Sequence, residues 1–235
     1  MTRRLLIAAN WKMHPAPAGC DAKNAPYRST KNADVVVFPS FLDIRQCVDA
    51  GLVTGAQWGH PETNGAHTGD VSMEMLAAAG VTYVLCGHSE RRRNYGETDA
   101  MIRAQVQTAL AQGLQPILCV GETEDERKAA KEKKVIERQL KDMPTGIIVA
   151  YEPVWAIGTG HTAKASDAQA MHAFIRTLVR HGDTTQILYG GSMTAETARD
   201  LLSQPDIDGG LVGGASLKPD DFRKIVAAAQ SAKKN

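Results

Sequence analysis

Eight short apolar runs, rich in β-branched residues, recur along this chain with helix-forming stretches between them, and this alternation constrains the fold more than any other feature. They are LLIAAN at 5–10, DVVVFP at 34–39, LVTGAQ at 52–57 and YVLCGH at 83–88, then QPILCV at 115–120, GIIVAYE at 146–152, QILYGG at 186–191 and GGLVGG at 209–214. Runs that are apolar on both sides suit strands covered on both faces of a parallel sheet. Parallel neighbours need right-handed βαβ crossovers, and eight such units predict a closed (β/α)₈ barrel, with a doubly wound open sheet as the alternative. No linker-like or low-complexity break divides the 235 residues, so residues 1–235 read as one domain.

Helix signals fit between the strands. Thr123 with Glu126 and Ser166 with Gln169 have capping-box spacing. The mixed-sign run EDERKAAKEKK at 124–134 reads as a solvated helix face, and ETARDLL and DFRKIVAAA carry helical apolar spacing. The first crossover is different. HPAPAGCDAKNAPYRSTKNA has Pro15, Pro17 and Pro26 and almost no apolar periodicity, so the first outer helix is predicted to be lost, short or poorly ordered. Limited proteolysis is expected to cut first within 15–32.

Composition excludes whole classes of partner. Lys and Arg total 27 against 26 Asp and Glu, so no general field favours nucleic acid or an anionic membrane. Any bound anion must be held by local geometry. The N-terminal apolar run stops at Ala9, too short for a signal h-region or a membrane span. Cys20, Cys47, Cys86 and Cys119 are far apart, without a CxxC pair or a His at ligand spacing, which predicts reduced thiols and a cytoplasmic protein.

A parallel barrel carries its site at the carboxyl ends of its strands. Those ends supply Asn10 and Lys12; His88, Ser89 and Glu90; Glu152; Gly190, Gly191 and Ser192; and Gly213, Gly214 and Ala215. Glycine pairs on two neighbouring strands, followed by a short helix, predict an anion cradle of bare amides. Glu152 precedes Pro153, which keeps it out of helical conformation, and Trp155 and Ile157 can seal it from water. A desolvated carboxylate is the stronger base, suited to taking a proton from a carbon beside a carbonyl. Gly158 and Gly160 give the following loop the freedom to act as a lid. His88 can stabilise the resulting oxyanion as a neutral donor, because a helix N-terminus disfavours imidazolium. Lys12 adds fixed positive charge.

With these residues assembled, the chain resembles the triosephosphate isomerase family. The matching segments are AANWKM at 8–13, GAQWGHPETNGAHTGDVSMEML at 55–76, CGHSERRRNYGETD at 86–99 and PILCVGET at 116–123, then AYEPVWAIGTG at 150–160, ILYGGSM at 187–193 and DGGLVGGASLKPDDF at 208–222. The resemblance implies interconversion of dihydroxyacetone phosphate and glyceraldehyde 3-phosphate in glycolysis and gluconeogenesis, with neither metal nor cofactor. It implies a proton-shuttling glutamate at Glu152, a neutral electrophile at His88 and a substrate-binding lysine at Lys12. Asn10 matches a family active-site residue and Glu90 one close to the lysine, while the phosphate would meet the amides of Gly158, Ser192, Gly213 and Gly214. The connection 58–69 resembles a loop that reaches into a second subunit, which implies a homodimer with Thr68 near Asn10 and His88 of the partner subunit.

Departures from the family pattern lie on the outer ring: the missing helix after Met13 and trimmed stretches at 129–145 and 181–186. His161 stands at the far lid hinge where many relatives carry lysine. Two other functions are weighed. A sugar-phosphate epimerase of the same fold commonly needs a metal, and no ligand cluster is legible in the sequence. A non-catalytic barrel kept as a binding or scaffold protein should have lost one of Lys12, His88 and Glu152, and all three are present.

Overall fold

The structure is a computed structural model that describes residues 3–157 and 164–232. Eight strands, β1 (Leu5–Asn10), β2 (Ala33–Phe38), β3 (Gly55–Ala56), β4 (Tyr83–Cys86), β5 (Gln115–Val120), β6 (Ile148–Tyr151), β7 (Ile187–Tyr189) and β8 (Gly209–Val212), pair in parallel in the order β2-β1-β8-β7-β6-β5-β4-β3. The two edge strands meet through the Val37 amide, which donates to the Val53 carbonyl at 2.9 Å, and a parallel bridge joins Val37 to Thr54. The predicted (β/α)₈ barrel is therefore what forms, and the open sheet is not.

Period-two alternation sorts the side chains. Leu6, Ala8, Val36, Phe38, Ile117 and Leu188 point inward and fill the barrel. Leu5, Ile7, Ala9, Val35 and Val37 point outward against the helices. Those helices are α1 (Ile44–Asp49), α2 (Met73–Ala78), α3 (Ser89–Tyr95), α4 (Asp99–Ala111), α5 (Glu124–Lys128), α6 (Glu132–Leu140), α7 (Ala165–Leu178), α8 (Ala198–Leu202) and α9 (Pro219–Ser231). A strand buried on both sides has no polar face, which is why its sequence is a run rather than an alternation. Close approach explains Gly209: its φ is +146°, and a Cβ there would stand 1.8 Å from the Leu6 carbonyl oxygen.

The Thr123–Glu126 capping box forms as predicted, with both reciprocal bonds present. The Ser166–Gln169 box does not. Helix α7 begins at Ala165, so Ser166 is already inside it, and the Gln169 amide instead donates to Asp206 at 2.6 Å.

Between β1 and β2 no helix forms, as predicted, but the segment is tied down. Cys20 and Tyr27 are buried, and the Arg28 guanidinium donates to the carbonyls of Ala22, Asp21, Gly51 and Ala50. Its turns are closed by single backbone bonds, from the Cys20, Ala22 and Ala25 amides to the Pro17, Gly19 and Ala22 carbonyls, and are braced by the Arg28 side chain rather than by a helical ladder. The exposed stretch 21–24 is accordingly where a protease is expected to enter first within this segment, with 25–28 protected. All four cysteines are buried free thiols.

Candidate active site

The carboxyl ends of β1, β4, β6, β7 and β8 surround a cavity of about 270 Å³ whose walls include Asn10, Lys12, His88, Glu152, Ser192 and Gly213. The barrel thus brings together side chains that sequence places up to two hundred positions apart.

Glu152 follows β6 and is only 2% exposed. Its backbone is held on both sides: its amide donates to the Val120 carbonyl at 2.7 Å, and the Gly190 amide donates to the Tyr151 carbonyl at 2.7 Å. One carboxylate oxygen accepts from the Ser89 amide at 2.8 Å, and the other lies 3.1 Å from His88 Nε2. Two glycines make room for it. A Cβ at Gly190 would come within 2.7 Å of Glu152 Cγ, and one at Gly121 within 1.7 Å of the Glu152 carbonyl oxygen.

His88 caps α3, and its Nδ1 accepts the Glu90 amide hydrogen at 3.2 Å. An imidazole that accepts at Nδ1 carries its proton at Nε2, so it is a neutral donor facing Glu152. The sequence leads to the expectation of a neutral donor here from the helix N-terminus, and the group that faces Nδ1 is the Glu90 amide.

Lys12 sits in the left-handed region with φ 52°, an uncommon conformation for a side-chain-bearing residue. Three contacts hold it there. Its amide donates to Asn10 Oδ1 at 3.0 Å, its carbonyl accepts from Gln57 at 2.8 Å, and its ammonium meets Glu90 Oε1 at 2.7 Å. Burial raises the Glu90 pKa most, but its hydrogen bond to Lys12 and the positive charge around it together outweigh this, and the net shift is downward. Glu90 is thus a carboxylate committed to holding Lys12.

On the opposite wall, Ser192 Oγ donates to the Ala156 carbonyl at 2.7 Å, joining the β7 loop to the start of the next connection. The amides of Ser192, Gly213 and Gly214 donate to no protein acceptor among the described residues. A Cβ at Gly214 would meet nothing within 4 Å. Bare amides bordering a cavity beside a lysine suit an anion. Gly158 and His161, both expected in the lid, lie outside the described residues.

Thr68 does not border this cavity. It is exposed on the connection 58–69, which leaves the barrel beyond β3. Next to the cavity is a second hollow of about 460 Å³, lined by Lys12 and Glu90 but also by Met13, Trp58 and Tyr95. Met13 is 95% and Leu42 93% exposed, and Phe41 and Tyr95 are also uncovered.

Two side chains escaped the reading of the sequence. Gln57 also donates to the Phe38 carbonyl at 3.0 Å, bracing β2 together with the Lys12 backbone. Glu122 is wholly buried and accepts from Tyr151 Oη at 3.1 Å and from Trp155 Nε1 at 2.9 Å. Burial pushes its carboxyl pKa up, with the Trp155 bond pulling the other way. It anchors Trp155, three residues after Glu152. The available signal was its position: an acid just beyond β5, a strand end from which no candidate had been drawn. A cluster able to hold a metal ion is also present, His60, Glu62 and His67, where none was legible in sequence. It lies on the 58–69 connection, away from the Glu152 cavity, and its groups already bond one another: the Glu62 amide to His60 Nδ1 at 3.1 Å, and Glu62 Oε2 to His67 Nε2 at 3.1 Å.

Comparison with known proteins agrees with this arrangement. The family described as triosephosphate isomerase matches residues 5–229. A triosephosphate isomerase of Paracidovorax citrulli is 46% identical over 252 aligned positions, covering 97% of this chain and 100% of the relative. Those of Herpetosiphon aurantiacus and Caulobacter vibrioides are each 44% identical over 246 positions, covering 95% and 97% of this chain and 98% and 97% of the relatives. The chain is an isomerase enzyme, a member of the triosephosphate isomerase family.

Proposed function

We propose that this chain interconverts dihydroxyacetone phosphate and D-glyceraldehyde 3-phosphate through an enediolate, with Glu152 moving the proton. The observation that carries the reading is a buried carboxylate 3.1 Å from an imidazole nitrogen, beside a cavity bordered by amides that meet no acceptor among the described residues. Substrate entering the cavity takes the Nε2 hydrogen bond of His88 from Glu152 onto its carbonyl oxygen. Glu152 then leaves the Ser89 amide and removes a proton from the carbon beside that carbonyl. The electron pair moves into the C–C bond and the carbonyl oxygen becomes an oxyanion, which His88 and the positive charge of Lys12 stabilise. Glu152 returns its proton to the former carbonyl carbon, while the hydroxyl proton of the adjacent carbon passes by way of His88 to the oxyanion, which leaves the new carbonyl on the carbon first deprotonated. Asn10 and Glu90 hold Lys12 in place, and the phosphate is gripped by the amides of Ser192, Gly213, Gly214 and Gly158.

The chemistry is proposed to need no metal or cofactor and to take place in the cytoplasm. Among the described residues no helix is long and apolar enough to cross a membrane. A coupled assay with glyceraldehyde 3-phosphate should show activity that survives a chelator; loss on chelation would turn the reading toward a metal-dependent epimerase.

A homodimer is proposed through the connection 58–69, whose tip would bring Thr68 to the hollow between Met13 and Tyr95 of a second copy. The uncovered Met13, Leu42 and Tyr95 support this, since exposed apolar clusters mark interaction surfaces. Gel filtration should give a dimer, and full activity in a monomer peak would refute it.

A further inference from the structure

The segment that replaces the first outer helix contributes a side chain that reaches across the barrel end. Tyr27 is fully buried, stacked on Phe222 with ring centres 5.1 Å apart and planes at 19°, and set edge-on to Trp11 at 5.3 Å. Its hydroxyl donates to the Ser216 carbonyl at 2.8 Å. Burial pushes the phenol pKa up, so the hydroxyl stays protonated and remains a donor. Ser216, itself wholly buried, gives both its amide and its hydroxyl to the Gly213 carbonyl, at 2.8 and 2.7 Å. These bonds fasten the short 3-10 turn Gly214–Leu217 at the end of β8. Gly213 lies directly beside Lys12, where a Cβ would stand 3.2 Å from Lys12 Cε.

We propose that Tyr27 is a positioning residue: its hydroxyl, through Ser216, fixes the Gly213–Gly214 turn so that the free amides there are set to bind a phosphate. The inference rests on the reading of that turn as the phosphate cradle. It is a specific consequence of the lost helix. A regular outer helix covers its strands with an apolar stripe, whereas this segment offers almost no such stripe and instead inserts one ring with a polar tip. The ring supplies the packing, and the hydroxyl spans the gap to a turn that no other described side chain outside it bonds at Ser216. A polar tip on an apolar body needs a partner once buried, and here the partner belongs to the site.

Tyr27→Phe keeps both ring contacts and deletes only the hydroxyl bond. The Ki for inorganic phosphate and the KM for glyceraldehyde 3-phosphate should rise together, by about three- to tenfold, the equivalent of one neutral hydrogen bond, while kcat stays within about twofold. Ser216→Ala should move the same two constants in the same direction, and the double variant should show less than the product of the two effects. Parent values of Ki and KM in Tyr27→Phe overturn the proposal, whether or not Tm falls. So do parent values in Ser216→Ala, which stands as the test if Tyr27→Phe fails to accumulate.

Ser192→Asp separates this from failure of the underlying reading, because it sets a negative charge against the phosphate. If Ser192→Asp keeps the parent Ki for phosphate, the cradle is elsewhere and the reading itself falls. If Ser192→Asp loses phosphate while Tyr27→Phe does not, only the positioning role falls.

Discussion

Glu152→Gln should lower kcat by about 10²–10⁴-fold, the usual contribution of a positioned acid–base group, while KM stays within a few-fold. The glutamine is nearly isosteric, so the walls of the cavity and the Gly190 and Gly121 approaches are unchanged. It can still accept from Ser89 through its carbonyl oxygen. Its NH₂ group would, however, face the Nε2 hydrogen of His88, which the carboxylate now accepts at 3.1 Å. Substrate relieves that clash by taking the His88 hydrogen itself, so binding has no reason to weaken much. What is lost is the base, since an amide nitrogen does not take up a proton from carbon. Steady-state kinetics in both directions check this. A variant with parent kcat would remove Glu152 from the chemistry, and one with a large rise in KM alone would make it a binding residue.

Gly121→Ala should destabilise the protein by about 3 kcal/mol and also cost about 10²-fold in kcat, although residue 121 touches no substrate. The reason is where its Cβ would go: 1.7 Å from the Glu152 carbonyl oxygen and 2.7 Å from the Glu152 carbonyl carbon. Both are backbone atoms of a strand end held by ladder bonds, so no side-chain rotation can relieve the overlap. The ends of β5 and β6 must part, which breaks the bond from the Glu152 amide to Val120 and moves the carboxylate off its line to the cavity. Thermal unfolding and kcat measured on one preparation provide the check. Parent values for both would mean that this close approach is absent from the working enzyme.

Much of this molecule was legible before folding. The strands announced themselves because a segment buried on both faces is written as an unbroken apolar run, and the helices because their periodicity and caps are local. The candidate residues were legible because a parallel barrel collects its strand ends on one face, so Asn10, Lys12, His88, Glu152 and Ser192 could be chosen from their places in the chain. The limits were of the same kind. Ser166 and Gln169 had capping spacing, but Asp206, thirty-seven positions from Gln169, claimed the glutamine. Glu122 was passed over because nothing near it in sequence reveals that Tyr151 and Trp155 will donate to it.

The sequence by itself determined the class of fold, the absence of the first helix and the identity of the groups able to act, since each depends on residue type and on neighbours within a few positions. Only the tertiary structure decided what those groups do to one another. The approach of Glu152 to His88 and the Ser89 amide, the pairing of Lys12 with Glu90 and the reach of Tyr27 to Ser216 arise when barrel closure sets distant groups within hydrogen-bonding distance. A hydrogen bond acts over about 3 Å, and no spacing along a chain specifies such a distance between residues far apart in sequence.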